Sequence, residues 1–154
     1  AQHEESSHHE GSSHHDAIGV WEIFASGIYA SPFSNEEEAG GVAGIEIHLT
    51  YWAVHLYGGG ISYTAKFEEE MVHDIAILGS LNPTNWMTIN AGPNFSLPSS
   101  HRAFSLGAYA ESEFYIRPNK WFHFGPVFGT IIGQHSEYSI GFHLGFELYP
   151  KAYR

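Results

Sequence analysis

The stretch YSIGFHLGFEL, Tyr138 to Leu148, alternates without a break between large apolar residues and small or polar ones. Tyr138, Ile140, Phe142, Leu144, Phe146 and Leu148 stand on one face, and Ser139, Gly141, His143, Gly145 and Glu147 on the other. A period of two is a β-strand, and faces this unlike must meet different surroundings. Two architectures satisfy that demand. The bulky face points into a soluble core, or it points outward at lipid around a closed barrel.

The same rule recurs along the chain. Ala43, Ile45, Ile47, Leu49 and Tyr51 oppose Glu46, His48 and Thr50. Met87, Ile89, Ala91, Pro93, Phe95 and Leu97 oppose Thr88, Asn90, Gly92, Asn94 and Ser96. Phe104, Leu106, Ala108, Ala110, Phe114 and Ile116 oppose Ser105, Gly107, Tyr109, Glu111, Glu113 and Tyr115. Tyr57 to Phe67, Ile75 to Leu81 and Phe122 to Gly129 follow the pattern, while AIGVWEIFASGIY, from Ala17, admits either face as the apolar one. Turn chemistry interrupts the alternation at SPFSNEEEAGG, near Trp52, and at FEEEMVHD, NPTN, LPSSHR, RPNK and GQHSE. These seven breaks predict eight strands joined as successive hairpins and no helix of useful length.

The polar faces are made mostly of Gly, Ser, Thr and Asn, and the charged fraction of the chain is only 15%. A water-facing strand carries Lys, Glu, Arg and Gln, whereas the narrow lumen of an eight-stranded barrel favours small side chains. Trp52, Trp86 and Trp121 fall beside alternate breaks, as an interfacial aromatic girdle requires. Those three breaks are compact, and of the opposite ones the first two are expected to be longer, carrying Glu36–Glu38 and Glu68–Glu70. The reading is therefore an all-β, eight-stranded antiparallel up-and-down transmembrane β-barrel. Its competitor is a soluble lipocalin-like ligand-binding barrel, with the phenylalanines turned inward.

Residues 17–148 resemble the small eight-stranded outer-membrane β-barrel superfamily of the OmpA/OmpX-like, porin-like kind. The final strand is also similar to the C-terminal signal read by barrel-insertion machinery, although the chain continues as YPKAYR. The resemblance implies a bacterial outer-membrane location with periplasmic termini. It implies contact with the bilayer and outer-leaflet lipids, and with other outer-membrane proteins in a complex. The role expected is non-enzymatic: scaffold, surface contact or accessory subunit. AQHEE at the start is similar to the residues around a signal cleavage site. Residues 149–154 are expected to form a short tail with a contact of its own.

A formal charge of -11 with only six Lys and Arg excludes a nucleic-acid surface, and the absence of cysteine excludes disulfides and thiolate metal sites. Residues 1–16, AQHEESSHHEGSSHHD, read as a flexible polar arm. Its His3, His8, His9, His14 and His15, interleaved with carboxylates, are candidate ligands for a divalent metal, Zn, Cu or Ni.

The expected lumen network comprises Glu46, His48, Lys66, Glu111, Glu113, His123, His143 and Glu147. Strand spacing sets Glu113, His123 and Glu147 side by side, with Glu46 and His48 near the same end. Such a set rigidifies the barrel or binds a cation, and a filled lumen leaves no open pore. Ser99, Ser100 and His101, and His135, Ser136 and Glu137, are the clusters closest to a nucleophile–base pair, but adjacent strand residues point opposite ways. No catalytic residue is assigned.

Overall fold

The computed structural model of the chain describes residues 19–33, 40–100 and 102–149. The arm with its histidines, Glu36–Glu38, His101 and the last five residues of the tail lie outside the described residues.

The strands are β1 (Val20–Pro32), β2 (Val42–Trp52), β3 (Tyr57–Phe67), β4 (Met71–Thr84), β5 (Met87–Ser96), β6 (Ser105–Phe114), β7 (Ile116–Asn119), β8 (Phe122–Ile132) and β9 (Glu137–Leu148). β6 and β7 are two segments of one stave, parted at Tyr115, whose backbone N–H still bonds Trp86 O at 2.8 Å. Both segments pair with β8, so the nine segments make the eight expected staves. Each stave pairs antiparallel with its sequence neighbour, and β1 pairs with β9 from Trp21↔Leu148 to Pro32↔Glu137. That last ladder closes the sheet into a barrel with no free edge.

The bulky face points out. Ile45, Ile47, Leu49, Ile61, Ile77, Phe142 and Leu144 are among the large apolar side chains left exposed around the wall. The lipocalin-like alternative needs those residues inside, and the chain does not adopt it. β1 resolves its ambiguity by pairing: Glu22 lies opposite Thr50 on β2 and Glu147 on β9, so it shares their inward face. Trp21, Ile23 and Tyr29 are exposed, while Val20, Glu22, Phe24, Ser26, Ile28 and Ala30 are buried.

One end of the barrel carries Val20, Leu148 and the turns 53–56, 85–86 and 120–121. In the last of these, Asn119 Oδ1 accepts the N–H groups of Trp121 and Phe122 at 3.1 and 2.9 Å, an Asx turn that reverses the chain in two residues. The opposite, loop end carries 33–41, 68–70, 97–104 and 133–136. The expectation that its first two connections are the long ones is half correct. Glu68–Glu70 form a tight turn because β3 and β4 stay paired up to Phe67↔Met71, and the length lies in 33–41 and 97–104.

The expected girdle also needs correcting. Trp86 and Trp121 are exposed at 52% and 53%, but Trp52 is buried at 4% and faces the lumen. Strand parity is the cause: Tyr51 takes the outward position, and Trp52, the next residue, must turn in. Trp21 stands outside instead, its ring 5.0 Å from that of Tyr51. A second aromatic belt at the loop end includes Tyr29, Phe33 and Tyr138, with Phe33 and Tyr138 in ring contact at 5.7 Å.

Candidate functional site

The lumen is packed with side chains from every stave, and its polar members form three connected groups. All eight residues expected in the network are buried there; His123 and Glu147 lie together as expected, while Glu113 takes other partners.

The central group is built on β2 and β6. Tyr109 OH donates to Glu46 Oε1 at 2.8 Å and lies 2.7 Å from Glu111 Oε2. Ser62 and Thr64 on β3 donate to the same Glu46 oxygen at 3.1 and 3.0 Å. His48 Nε2 lies 3.2 Å from Glu46 Oε1, and its Nδ1 lies 3.7 Å from both Glu111 Oε1 and Glu113 Oε1. Asn90 Nδ2 donates to Glu113 and, at 3.4 Å, to Glu111.

The second group lies toward the end bearing Val20. Trp52 Nε1 donates to Glu22 Oε2 at 2.5 Å, and His123 Nε2 lies 2.9 Å from Glu22 Oε1. His123 Nδ1 and His143 Nε2 are 3.2 Å apart. Tyr115 OH bonds Glu113 Oε2 at 2.5 Å and Thr88 Oγ1 at 2.7 Å, joining this group to the central one. Glu147 pairs with the Arg117 guanidinium and accepts from Tyr149 OH.

Near the loop end, Lys66 Nζ sits between Asp74 Oδ2 at 3.0 Å and Glu137 Oε1 at 2.6 Å. Ser96 and Asn94 donate to the other Asp74 oxygen at 2.5 and 3.3 Å. Above it lies a cavity of about 760 Å³ lined by Glu68, Glu69, Glu70, Arg102 and Glu137 among others. Arg102 clamps Glu68 with contacts of 2.9 and 3.0 Å, and Ser100 N–H donates to Glu70 at 3.2 Å, so loop 97–104 folds over the 68–70 turn.

Strand spacing alone predicts Glu113 beside His123 and Glu147. Instead Glu113 turns to His48, Asn90 and Tyr115, and Glu22 takes its place beside His123 and Glu147. Glu22, Asp74, Tyr109, Tyr115 and Glu137 are members of the network that the sequence reading did not assign. A single charge in an otherwise apolar strand was the available signal for Glu22, because a carboxylate at membrane depth belongs in the lumen. Five carboxylates in the two inner groups face three imidazoles and one guanidinium. In a low-dielectric interior that excess is neutralised by shared protons, by imidazolium or by a bound cation. Two sets of donors lie within 4.8 Å of one another: Glu22, His123 and Glu147, and Glu46, His48 and Glu111.

Comparison by sequence finds no match, either among protein-family models or among curated proteins. Comparison by structure finds outer-membrane barrels. The N-terminal β-barrel domain of Pseudomonas aeruginosa OprF superposes with a TM-score of 0.64 at 16% identity, over 86% of this chain and 100% of that one. Ail, the attachment invasion locus protein of Yersinia pestis, gives 0.62 at 10% identity, over 85% and 99%. A de novo designed transmembrane β-barrel gives 0.56 at 9%, over 86% and 98%. At these identities the likeness is one of fold, and the fold is that of the small eight-stranded outer-membrane β-barrels.

Proposed function

We propose that this chain is an integral outer-membrane β-barrel that acts through its two ends, as a scaffold or surface-contact protein and not as a pore or an enzyme. The observation that carries this reading is the lumen itself: His48, His123 and His143 are each 0% exposed, locked among carboxylates and tyrosines. A barrel filled to that degree offers no continuous aqueous path. The apolar outer wall, bounded by an aromatic belt at each end, supports residence in a bilayer. In this reading the termini are periplasmic and the loop end faces outward, since loops 33–41 and 97–104 are the long ones and extracellular loops are the longer set. The acidic cavity over Lys66 then forms the surface presented to partners or to cations bridging outer-leaflet headgroups.

Two measurements test it together. Expressed with an export signal, the chain should fractionate with the outer membrane and run at different mobilities boiled and unboiled. Reconstituted in planar bilayers, it should give no stable conductance step. A soluble, heat-insensitive product refutes the membrane assignment, and reproducible channel currents refute the sealed scaffold.

A further inference from the structure

At the end bearing Val20, a cavity of about 630 Å³ opens between Glu22, Trp52, Asn82, Arg117, Glu147 and Tyr149. An oxygen of Glu22, an oxygen of Glu147 and a ring nitrogen of His123 lie within 4.8 Å of one another there. The His123 ring is held on three sides. Its Nδ1 meets His143 Nε2 at 3.2 Å, and Tyr115 packs against it edge-on with ring centroids 4.6 Å apart. Gly145, its partner across the β8–β9 ladder, leaves the space the ring occupies: a Cβ at Gly145 would stand 2.1 Å from the imidazole. What this clamp presents is Nε2. That atom is buried and has no hydrogen-bond partner among the described residues, although Glu22 Oε1 is only 2.9 Å away.

A buried nitrogen beside a carboxylate without a hydrogen bond is an unsatisfied arrangement. Two ligands of one metal ion stand in a similar relation, because bonds of about 2.0–2.2 Å bring neighbouring ligand atoms to roughly 3–3.5 Å of each other, depending on coordination geometry. We propose that Glu22, His123 and Glu147 bind a divalent transition-metal ion of the Zn(II) class, reached from this cavity, with His143 orienting His123 from behind. Imidazole with two carboxylates suits that class, whereas Ca(II) and Mg(II) take oxygen ligands. With His123 Nδ1–H donating to His143 Nε2, the Nε2 lone pair is free for the ion, the outer-shell arrangement common to metal-bound histidines. The positive ion offsets part of the carboxylate excess. The Glu46–His48–Glu111 set lacks this access: none of its three residues lines either cavity, whereas Glu22 and Glu147 line this one and His123 lies directly behind them.

Arg117 gives the proposal a second handle. Its guanidinium holds Glu147 and competes with an ion for that carboxylate. Removing His123 must weaken binding and removing Arg117 must strengthen it, an opposition that a structural role for either residue does not produce.

The test uses the full chain folded in detergent and titrated with Co(II), whose visible absorption reports ligation. Four forms are compared: the unaltered chain, His123→Gln, Arg117→Gln, and a chain with His3, His8, His9, His14 and His15 all changed to Ser. Saturable binding that survives the arm substitutions, weakens about tenfold or more in His123→Gln and tightens in Arg117→Gln is the expected result. Binding lost with the arm histidines, or equal in His123→Gln and the unaltered chain, overturns the site. Should His123→Gln fail to give the heat-modifiable barrel, Arg117→Gln decides alone, and affinity that does not rise overturns the site. Absence of heat-modifiable mobility in the unaltered chain overturns the barrel reading, and the site with it.

Discussion

Trp52 Nε1 donates a 2.5 Å hydrogen bond to Glu22 Oε2 at the mouth of the barrel, joining an indole on β2 to a carboxylate on β1. A buried carboxylate that loses such a donor bears its desolvation cost uncompensated. Trp52→Phe should therefore destabilise the barrel by about 1–3 kcal/mol. Trp121→Phe, on the exposed outer wall, keeps an aromatic ring and removes no internal bond, so its effect should be much smaller. Urea unfolding in detergent, followed for both variants, checks the difference.

Gly145 and Gly27 predict opposite outcomes for one substitution. Gly145→Ala drives a Cβ into the His123 ring, and rearranging a packed interior to admit a methyl costs about 1–3 kcal/mol. Gly27 has no atom within 4 Å of a Cβ position, so Gly27→Ala should be neutral or slightly stabilising. The temperature at which unboiled mobility is lost on a gel orders the two variants against the parent.

Ile47 and Phe142 sit mid-strand with their side chains exposed on the outer wall. Placing Arg at either position should cost about 2–4 kcal/mol in lipid vesicles. The same charge at Trp86, in the 85–86 turn, should cost far less. Reversible folding into vesicles measures all three, and a flat profile with depth would contradict lipid contact around the wall.

Lys66 pairs with Asp74 and Glu137 at once, at 3.0 and 2.6 Å, with Lys66 and Asp74 both buried. Lys66→Met leaves two carboxylates without their cation and should destabilise by about 3–5 kcal/mol. Adding Asp74→Asn should restore part of that loss, because one of the stranded charges is gone. A double-mutant cycle by unfolding gives the coupling, and strict additivity would show that the pair does not interact.

The architecture was readable because lipid and lumen make opposite demands on alternate residues, and β9 obeys them from Tyr138 to Leu148. Individual positions were readable wherever that parity was applied without exception. Trp52 was misplaced because its residue type suggested an interface while its parity placed it inside. Pairings across the lumen were readable only in part: His123 meets Glu147 as its strand spacing predicts, but the third carboxylate is a different one. They depend on stagger between staves, which brings Glu22 rather than Glu113 to His123 and sends Glu113 to His48. Tyr109 and Tyr115 stood on the inward face of their stave beside Glu111 and Glu113, yet their reach to Glu46 on β2 and Glu22 on β1 depends on the barrel being closed.

The ladder between β1 and β9 joins the first described strand to the last. Loop-closure entropy rises with the length of chain enclosed, and pairings between distant segments slow folding. No stretch of this chain can finish its own cylinder before Leu148 reaches Trp21. Closure of the cylinder is therefore a late event. Until it occurs, Glu22 and Glu147 line an open groove instead of the wall of a narrow closed mouth, and water can hydrate both more fully.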